Sequence, residues 1–205
     1  MSVHAVTTFL SLLALVALAG AVVTVVAATG ARANGALGLT LRRSALGLAA
    51  TVAVVSLAGS LYLSEVAHFL PCRLCWYQRI AMYPLAVVLV VAALRRDAAV
   101  RWYAIPLAVG GLAISLWHLG VEHLGIGEGA CDIANPCSIR WVEHFGFVTI
   151  PFMAACGFVA IAVLTAVADP FADDDADVDG DGDDAATRPA PSRDRGARVM
   201  EGSGT

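Results

Sequence analysis

The chain alternates between long uncharged apolar runs and short polar segments. Five runs stand out, at residues 1–31, 44–64, 80–94, 102–121 and 145–168. A membrane-spanning helix needs about 20 mainly apolar residues, and four of the runs reach that length alone. The run at 80–94 reaches it if its helix begins near Trp76, because an aromatic residue suits the membrane interface. The pattern therefore predicts an all-α membrane protein with five spans in total.

The first run could also be a secretory signal. Only His4 precedes the apolar stretch, so the charged start of a signal is missing, and the run is longer than a typical signal core. We therefore expect a spanning helix there, at about residues 6–28. The other helices are expected at about 44–66, 75–94, 102–121 and 146–168.

Composition supports a membrane domain followed by a polar tail. Hydrophobic residues make up 59% of the chain, against roughly 45–50% in a soluble domain. The net charge of −4 comes largely from an aspartate-rich segment at the C-terminal end. Residues 169–205 contain too few apolar side chains to bury a core, so we expect this tail to be disordered.

The arginines next to the apolar runs indicate an orientation. Those of the first and third connecting loops are Arg32, Arg42, Arg43, Arg95, Arg96 and Arg101. The positive-inside rule makes both loops and the tail cytoplasmic and places the second and fourth loops outside. Arg73 and Arg79 of the second loop lie on the wrong side for this rule, which suggests a functional reason for them.

Four of the five cysteines fall in the two outer loops. Cys72 and Cys75 are separated by two residues, a spacing whose disulfide removes little chain entropy and is easily reduced. The start of the third helix would favour a thiolate there, because a helix N-terminus carries partial positive charge. The pair therefore indicates a redox centre rather than a structural link.

Arg79 follows Cys75 by one helical turn and should share its helix face. A cation there would stabilise a thiolate, or an electron-rich acceptor bound beside it. The alternative is an interface anchor whose charge lies among lipid headgroups. An inward arginine is costly in a membrane, which favours the functional interpretation.

Cys131 and Cys137 lie in a glycine-containing outer loop. Such a loop could present a disulfide first to a soluble partner and then to the Cys72–Cys75 pair, since exchange needs direct contact of sulfurs. The pair could equally be a plain loop clamp. Cys156 lies inside the fifth apolar run and is expected to be an inert packing residue.

Two segments resemble the motifs of a known family. The sequence CRLCWYQR at residues 72–79 resembles the cysteine and arginine motif of the DsbB family. Residues 136–151, with Cys137 and Trp141, are similar to its second motif. The close spacing of the loop cysteines looks more like the BdbC branch, and the resemblance covers about residues 44–168.

The resemblance implies a four-helix transmembrane bundle at 44–168, with an additional helix and cytoplasmic loop at 1–43 and the acidic tail at 169–205. It implies an enzyme of a prokaryotic plasma membrane that supports disulfide formation in exported proteins. The partner would be a soluble or tethered thioredoxin-fold thiol oxidase of the DsbA or BdbD type, outside the membrane. The electron acceptor would be membrane quinone, either ubiquinone or menaquinone, with no bound metal or flavin.

The resemblance also implies roles for single residues. Cys131 and Cys137 would exchange with the partner, and Cys72 and Cys75 would then reduce quinone. A Cys75 thiolate would contact or add to the quinone, and Cys72 would resolve it. Arg79 would contact or polarise the quinone, and His118 matches, more loosely, a histidine that the family places near the quinone. His123 is a nearby competitor for that second role.

Three alternatives remain at this stage. A vitamin K epoxide reductase-like enzyme also uses two cysteine pairs and a quinone, but there the loop pair comes first in the sequence. A non-enzymatic zinc protein could draw on the outer cysteines and histidines as soft ligands. A membrane scaffold with incidental disulfides would tolerate the loss of Cys75.

Overall fold

The computed structural model describes residues 2–29, 35–125, 127, 131 and 136–169. The long helices of this part are α1 (Val3–Thr29), α2 (Ala36–Leu61), α3 (Arg73–Arg95), α4 (Arg101–Leu124) and α5 (Ile150–Val167). All five are long and apolar enough to cross a membrane. The prediction of an all-helical membrane protein with five spans is therefore confirmed. The expectations for Arg32 and for the acidic tail lie outside the described residues.

The second helix begins earlier than the sequence pattern predicts. It starts at Ala36, after Gly35 in an extended conformation, so Arg42 and Arg43 lie inside the helix rather than in a loop. Long arginine side chains can extend toward the membrane surface from a helical position, so their charge does not end the helix. At its other end α2 passes into a π-helical turn, Tyr62–Val66.

Small residues allow the helices to pack closely. Ala45, Ala49 and Ala53 form a fully buried stripe on α2, and such residues let membrane helices approach because no large side chain separates them. Between α4 and α5, a Cβ atom added to Gly111 would overlap the ring of Phe158, which is completely buried. The extra helix α1 packs chiefly against α5 and less against α2.

A short hairpin, not predicted from the sequence, precedes α5. Strands β1 (Glu143–His144) and β2 (Val148–Thr149) pair antiparallel. The turn between them places Phe145 and Gly146 at positive φ, 56° and 77°, the backbone that tight hairpin turns require. A two-residue strand has too little alternation for sequence analysis to detect. The hairpin brings His144 Nε2 to 3.0 Å from Thr7 Oγ1 of α1.

Candidate active site

Cys72 and Cys75 face each other at the start of α3. Their Sγ atoms are 3.0 Å apart, so a small side-chain rotation would bring them to disulfide distance. Cys72 is the N-cap residue, and its sulfur accepts a hydrogen bond from the Cys75 backbone N–H at 3.4 Å. Cys72 is buried, whereas Cys75 is half-buried. The sequence placed both residues at the helix start, and the structure assigns the cap itself to Cys72.

The surroundings of Cys72 favour its thiolate. Hydrogen bonding from the Cys75 thiol lowers the pKa of Cys72 to about 4, with further lowering by His118 and the Cys75 backbone N–H against the opposing effect of burial. The sequence expectation gave the thiolate to Cys75, whereas these contacts favour the thiolate of Cys72. Cys72 is prepared to act as a nucleophile toward sulfur, since the thiolate is the reactive form.

His118 links the two cysteine pairs. Its Nε2 lies 3.7 Å from Cys72 Sγ and 3.2 Å from the carbonyl oxygen of Cys137. A carbonyl can only accept, so in the neutral ring Nε2 carries the proton. His123 is exposed, and its Nδ1 lies 3.2 Å from its own helix at Leu119 O. Of the two histidines, His118 is therefore the one beside the cysteine pairs. It does not line the cavity next to Cys75 and Arg79 that is described below, so its role as a quinone contact stays a prediction.

Arg79 points into the protein. It is only 9% exposed, its Nε donates to Ser60 Oγ at 2.9 Å and its Nη2 donates to the Ser60 carbonyl at 2.8 Å. The guanidinium carbon lies 5.3 Å from the ring centre of Trp76, within cation–π range. These contacts contradict the interpretation of Arg79 as an anchor among headgroups.

A cavity of about 490 Å³ adjoins Cys75 and Arg79. Its polar end is formed by Cys75, Gln78, Arg79 and Ser60, and the remaining wall is largely apolar, from α1, α2 and α5. Among the described residues that line it, Arg79 is the charged one. A pocket with apolar walls and a few convergent polar groups is typical of a site for a small organic molecule. Cys72 does not line this cavity.

The second cysteine pair is covalently joined. Cys131 and Cys137 form a disulfide whose Cα atoms are 5.9 Å apart. Cys137 is buried at 2% exposure beside Cys72 and Val121, whereas Cys131 is half-buried. Cys137 thus faces the first pair, and Cys131 is more exposed at the protein surface.

Glu122 holds this loop against α4. The side chain is 2% exposed, its Oε1 lies 3.3 Å from Arg140 Nε, and its Oε2 accepts from Thr149 Oγ1 at 2.9 Å. The contact with Arg140 is an ion pair without a well-aligned hydrogen bond, since Oε1 has no such partner among the described residues. Glu122 could not be predicted from the sequence, where only its place one turn after His118 distinguishes it.

The geometry also bears on a zinc site. Ligand atoms of Cys72, Cys75 and His118 lie within 4.8 Å of one another. A structural zinc site takes four ligands, and Cys131 and Cys137 are bonded to each other. The described residues therefore supply three of the four ligands that this alternative needs.

Residues 42–168 match the model of the family described as Disulfide bond formation protein DsbB. The chain belongs to the DsbB family. This match covers both cysteine pairs, Arg79 and His118, and it confirms the resemblance read from the two motifs.

Bacterial relatives place the chain near the BdbC branch of the DsbB family. It is 44% identical over 115 residues to the Probable disulfide formation protein of Oceanobacillus iheyensis, covering 55% of this chain and 79% of the relative. It is 42% identical over 114 residues to Disulfide bond formation protein C of Bacillus subtilis, covering 55% and 83%. No solved structure matches the chain significantly.

The contacts of two site residues, Ser60 and Gln78, could not be predicted from the sequence. Ser60 orients Arg79, and Gln78 donates to Ser115 Oγ at 3.2 Å beside the cavity. A serine in an apolar helix or a glutamine inside a motif carries no pattern of its own. Each becomes visible only when α2, α3 and α4 are packed together.

Proposed function

We propose that this DsbB-family protein is a quinone-dependent protein-disulfide oxidoreductase. It reoxidises a DsbA- or BdbD-like thioredoxin-fold partner outside the membrane and passes the electrons to ubiquinone or menaquinone. One observation carries the proposal: the Cys72–Cys75 pair lies between the loop disulfide and the cavity, with Cys72 toward Cys137 and Cys75 toward Arg79.

The first exchange takes place at the outer loop. A partner thiolate attacks Cys131, because this sulfur is more accessible than that of Cys137, and Cys137 leaves as a thiolate. The second partner thiol then closes the partner's own disulfide and releases Cys131. The partner has lost two electrons, and the loop is a dithiol.

The second exchange moves those electrons inward. The Cys137 thiolate attacks Cys72 of the inner disulfide, which packs beside it, and Cys75 is released. Cys131 then attacks Cys137, so the loop disulfide re-forms and Cys72 leaves. Its low pKa makes Cys72 a good leaving group, since thiols of low pKa leave faster.

The third step occurs at the cavity. Oxidation of the Cys72–Cys75 dithiol to a disulfide releases two electrons and two protons, which quinone takes up as quinol. Cys75 is the sulfur that faces the cavity, and the Cys72 thiolate, held within 3.0 Å, closes the disulfide. Arg79 stabilises negative charge that develops on the acceptor, because a fixed cation in an apolar site acts strongly. His118 contacts both Cys72 Sγ and the Cys137 carbonyl and thereby keeps the two cysteines close together.

The residues present suit a quinone. Its ring carries carbonyl oxygens that accept hydrogen bonds, and Arg79 and Gln78 offer donors at the polar end of the cavity. Its tail is apolar, as are the other walls. We place the cysteine loops outside and the tail in the cytoplasm of a prokaryotic cell, because Arg42, Arg43, Arg95 and Arg96 lie at the opposite ends of α2 and α3 from the cysteines.

Steady-state quinone reduction tests this function. The purified protein in lipid is supplied with a reduced thioredoxin-fold oxidase as electron donor, and Cys75→Ser is compared with the matched control Cys156→Ser. We expect turnover that is lost in Cys75→Ser and kept in Cys156→Ser. Absence of turnover with both quinones, from folded and oxidised protein, would contradict the proposal.

A further inference from the structure

The additional helix α1 forms one side of the cavity at the redox site. Residues from Leu10 to Thr24 line it, over about four helical turns. The family match begins only at residue 42, so α1 precedes the matched region. The cavity wall therefore includes a helix beyond the four of the DsbB-like bundle.

Small side chains on α1 leave open space on its cavity-facing side. Ala14, Ala17, Gly20 and Ala21 all line it, and a Cβ added to Gly20 would meet no atom within 4 Å. Nearer the cysteines, α1 and α2 approach closely: a Cβ added to Gly59 of α2 would lie 3.0 Å from the Leu10 side chain of α1. The space left between α1 and α2 is an apolar groove that continues from Cys75 and Arg79.

Specific contacts fix α1 in this position. Thr7 is 3% exposed and its Oγ1 lies 3.0 Å from His144 Nε2 of the hairpin. Ser11 is fully buried, and its Oγ lies 3.5 Å from Met153 Sδ of α5. Polar contacts of this kind hold membrane helices together where no hydrophobic force acts between them. The helix is thus seated on the bundle by polar side chains as well as by packing.

We propose that α1 and α2 enclose the isoprenoid tail of the membrane quinone whose head lies at Cys75 and Arg79. This rests on the proposed function and adds a role for the extra helix. The occupant follows from continuity: the groove opens directly onto the redox-active sulfur, and its walls are apolar along α1. A phospholipid is a poorer fit, because its charged, hydrated headgroup would have to be buried to reach Arg79, which is only 9% exposed.

Two quinones and two alanine variants test this inference. Ala17 lines the groove, whereas Ala19 is exposed on the same helix and does not. Turnover is measured with a long-tailed quinone and with a tailless analogue of the same head, in wild type, Ala17→Phe and Ala19→Phe. We expect Ala17→Phe to raise KM for the long-tailed quinone by roughly fivefold more than for the analogue. The added phenyl ring fills part of the groove, so the tail loses packing contacts there. Ala19→Phe should match wild type with both.

The outcomes separate this inference from the function on which it rests. Wild type that reduces neither quinone would overturn both. Wild type that reduces both, with an Ala17→Phe effect equal for the two quinones or absent, would overturn the tail groove alone.

A labelling measurement decides the matter if Ala17→Phe fails to fold. A quinone with a photoreactive group on its tail should label the peptide containing α1 in wild type, in competition with unlabelled quinone. Labelling confined to α2–α5, or displaced by phospholipid and not by quinone, would contradict the groove.

Discussion

Ser60 provides a sharp test of how Arg79 is used. Ser60→Ala removes the 2.9 Å bond from Arg79 Nε and leaves the 2.8 Å bond from Nη2 to the Ser60 carbonyl. A hydrogen bond to a charged group contributes about 1.5 to 3 kcal/mol. Because the second bond still restrains the guanidinium, we expect the lower value, which corresponds to roughly tenfold in kcat/KM for quinone.

The assay separates the two halves of the reaction. Quinone reduction is measured with the thiol donor in excess, and reduction of the Cys131–Cys137 disulfide is measured without quinone. Ser60→Ala should slow the first and leave the second unchanged. Ser44→Ala is the matched control, since Ser44 lies on the same helix, exposed, with its hydroxyl bonded to Thr40 O.

Arg79→Lys extends the same test. Lysine keeps the charge but loses the planar fork that bonds Ser60 through two nitrogens. We expect a loss at least as large as that of Ser60→Ala, again confined to the quinone half-reaction. Equal slowing of both half-reactions in either variant, or an unchanged kcat/KM in Ser60→Ala, would refute the idea that Ser60 aims Arg79 at the acceptor.

Two further predictions concern thiol chemistry and packing. As the pH is lowered, reduced Cys72 should keep the ultraviolet absorbance of its thiolate until the pH nears its pKa of about 4. Cys75→Ser alters the contact that lowers this pKa most, so on acidification this variant should lose the absorbance at a higher pH than wild type. An unchanged titration profile would contradict that cause. Gly111→Ala places a Cβ against Phe158 and should lower the free energy of unfolding by about 1–3 kcal/mol, measured by thermal unfolding in detergent. Gly110→Ala meets no atom within 4 Å and should not destabilise; equal effects of the two glycine variants would contradict the packing argument.

Much of the architecture follows from the apolar runs, because the membrane forces each backbone segment within it to become a helix. The ends of helices follow less well. Charge suggested a start of α2 after Arg43, yet the helix begins at Ala36, since an arginine two turns inside a helix can still extend to the membrane surface. The hairpin at Glu143–Thr149 is too short to leave a pattern.

The Cys72–Cys75 pair and Arg79 could be proposed as site residues from spacing alone, because CxxC and a cation one turn later are local features. Relations between helices could not. The resemblance favoured His118 with His123 as a competitor, and only the packing of the helices shows that the first is buried and the second exposed. The contact of Ser60 with Arg79 spans 19 residues of sequence. The position of α1 beside the cavity depends on Thr7 and Ser11, whose partners lie more than a hundred residues away.

A count of electrons in a single turnover tests the proposed route from the partner to quinone. Oxidised protein with bound quinone is mixed anaerobically with a limiting amount of reduced thioredoxin-fold oxidase, and quinol and partner disulfide are both quantified. We expect one quinol for each partner disulfide formed, and none in Cys75→Ser, although the loop disulfide of that variant is still reduced. Partner oxidation without quinol in the wild type, or quinol formation that survives Cys75→Ser, would contradict a route from the loop through Cys72 and Cys75 to quinone.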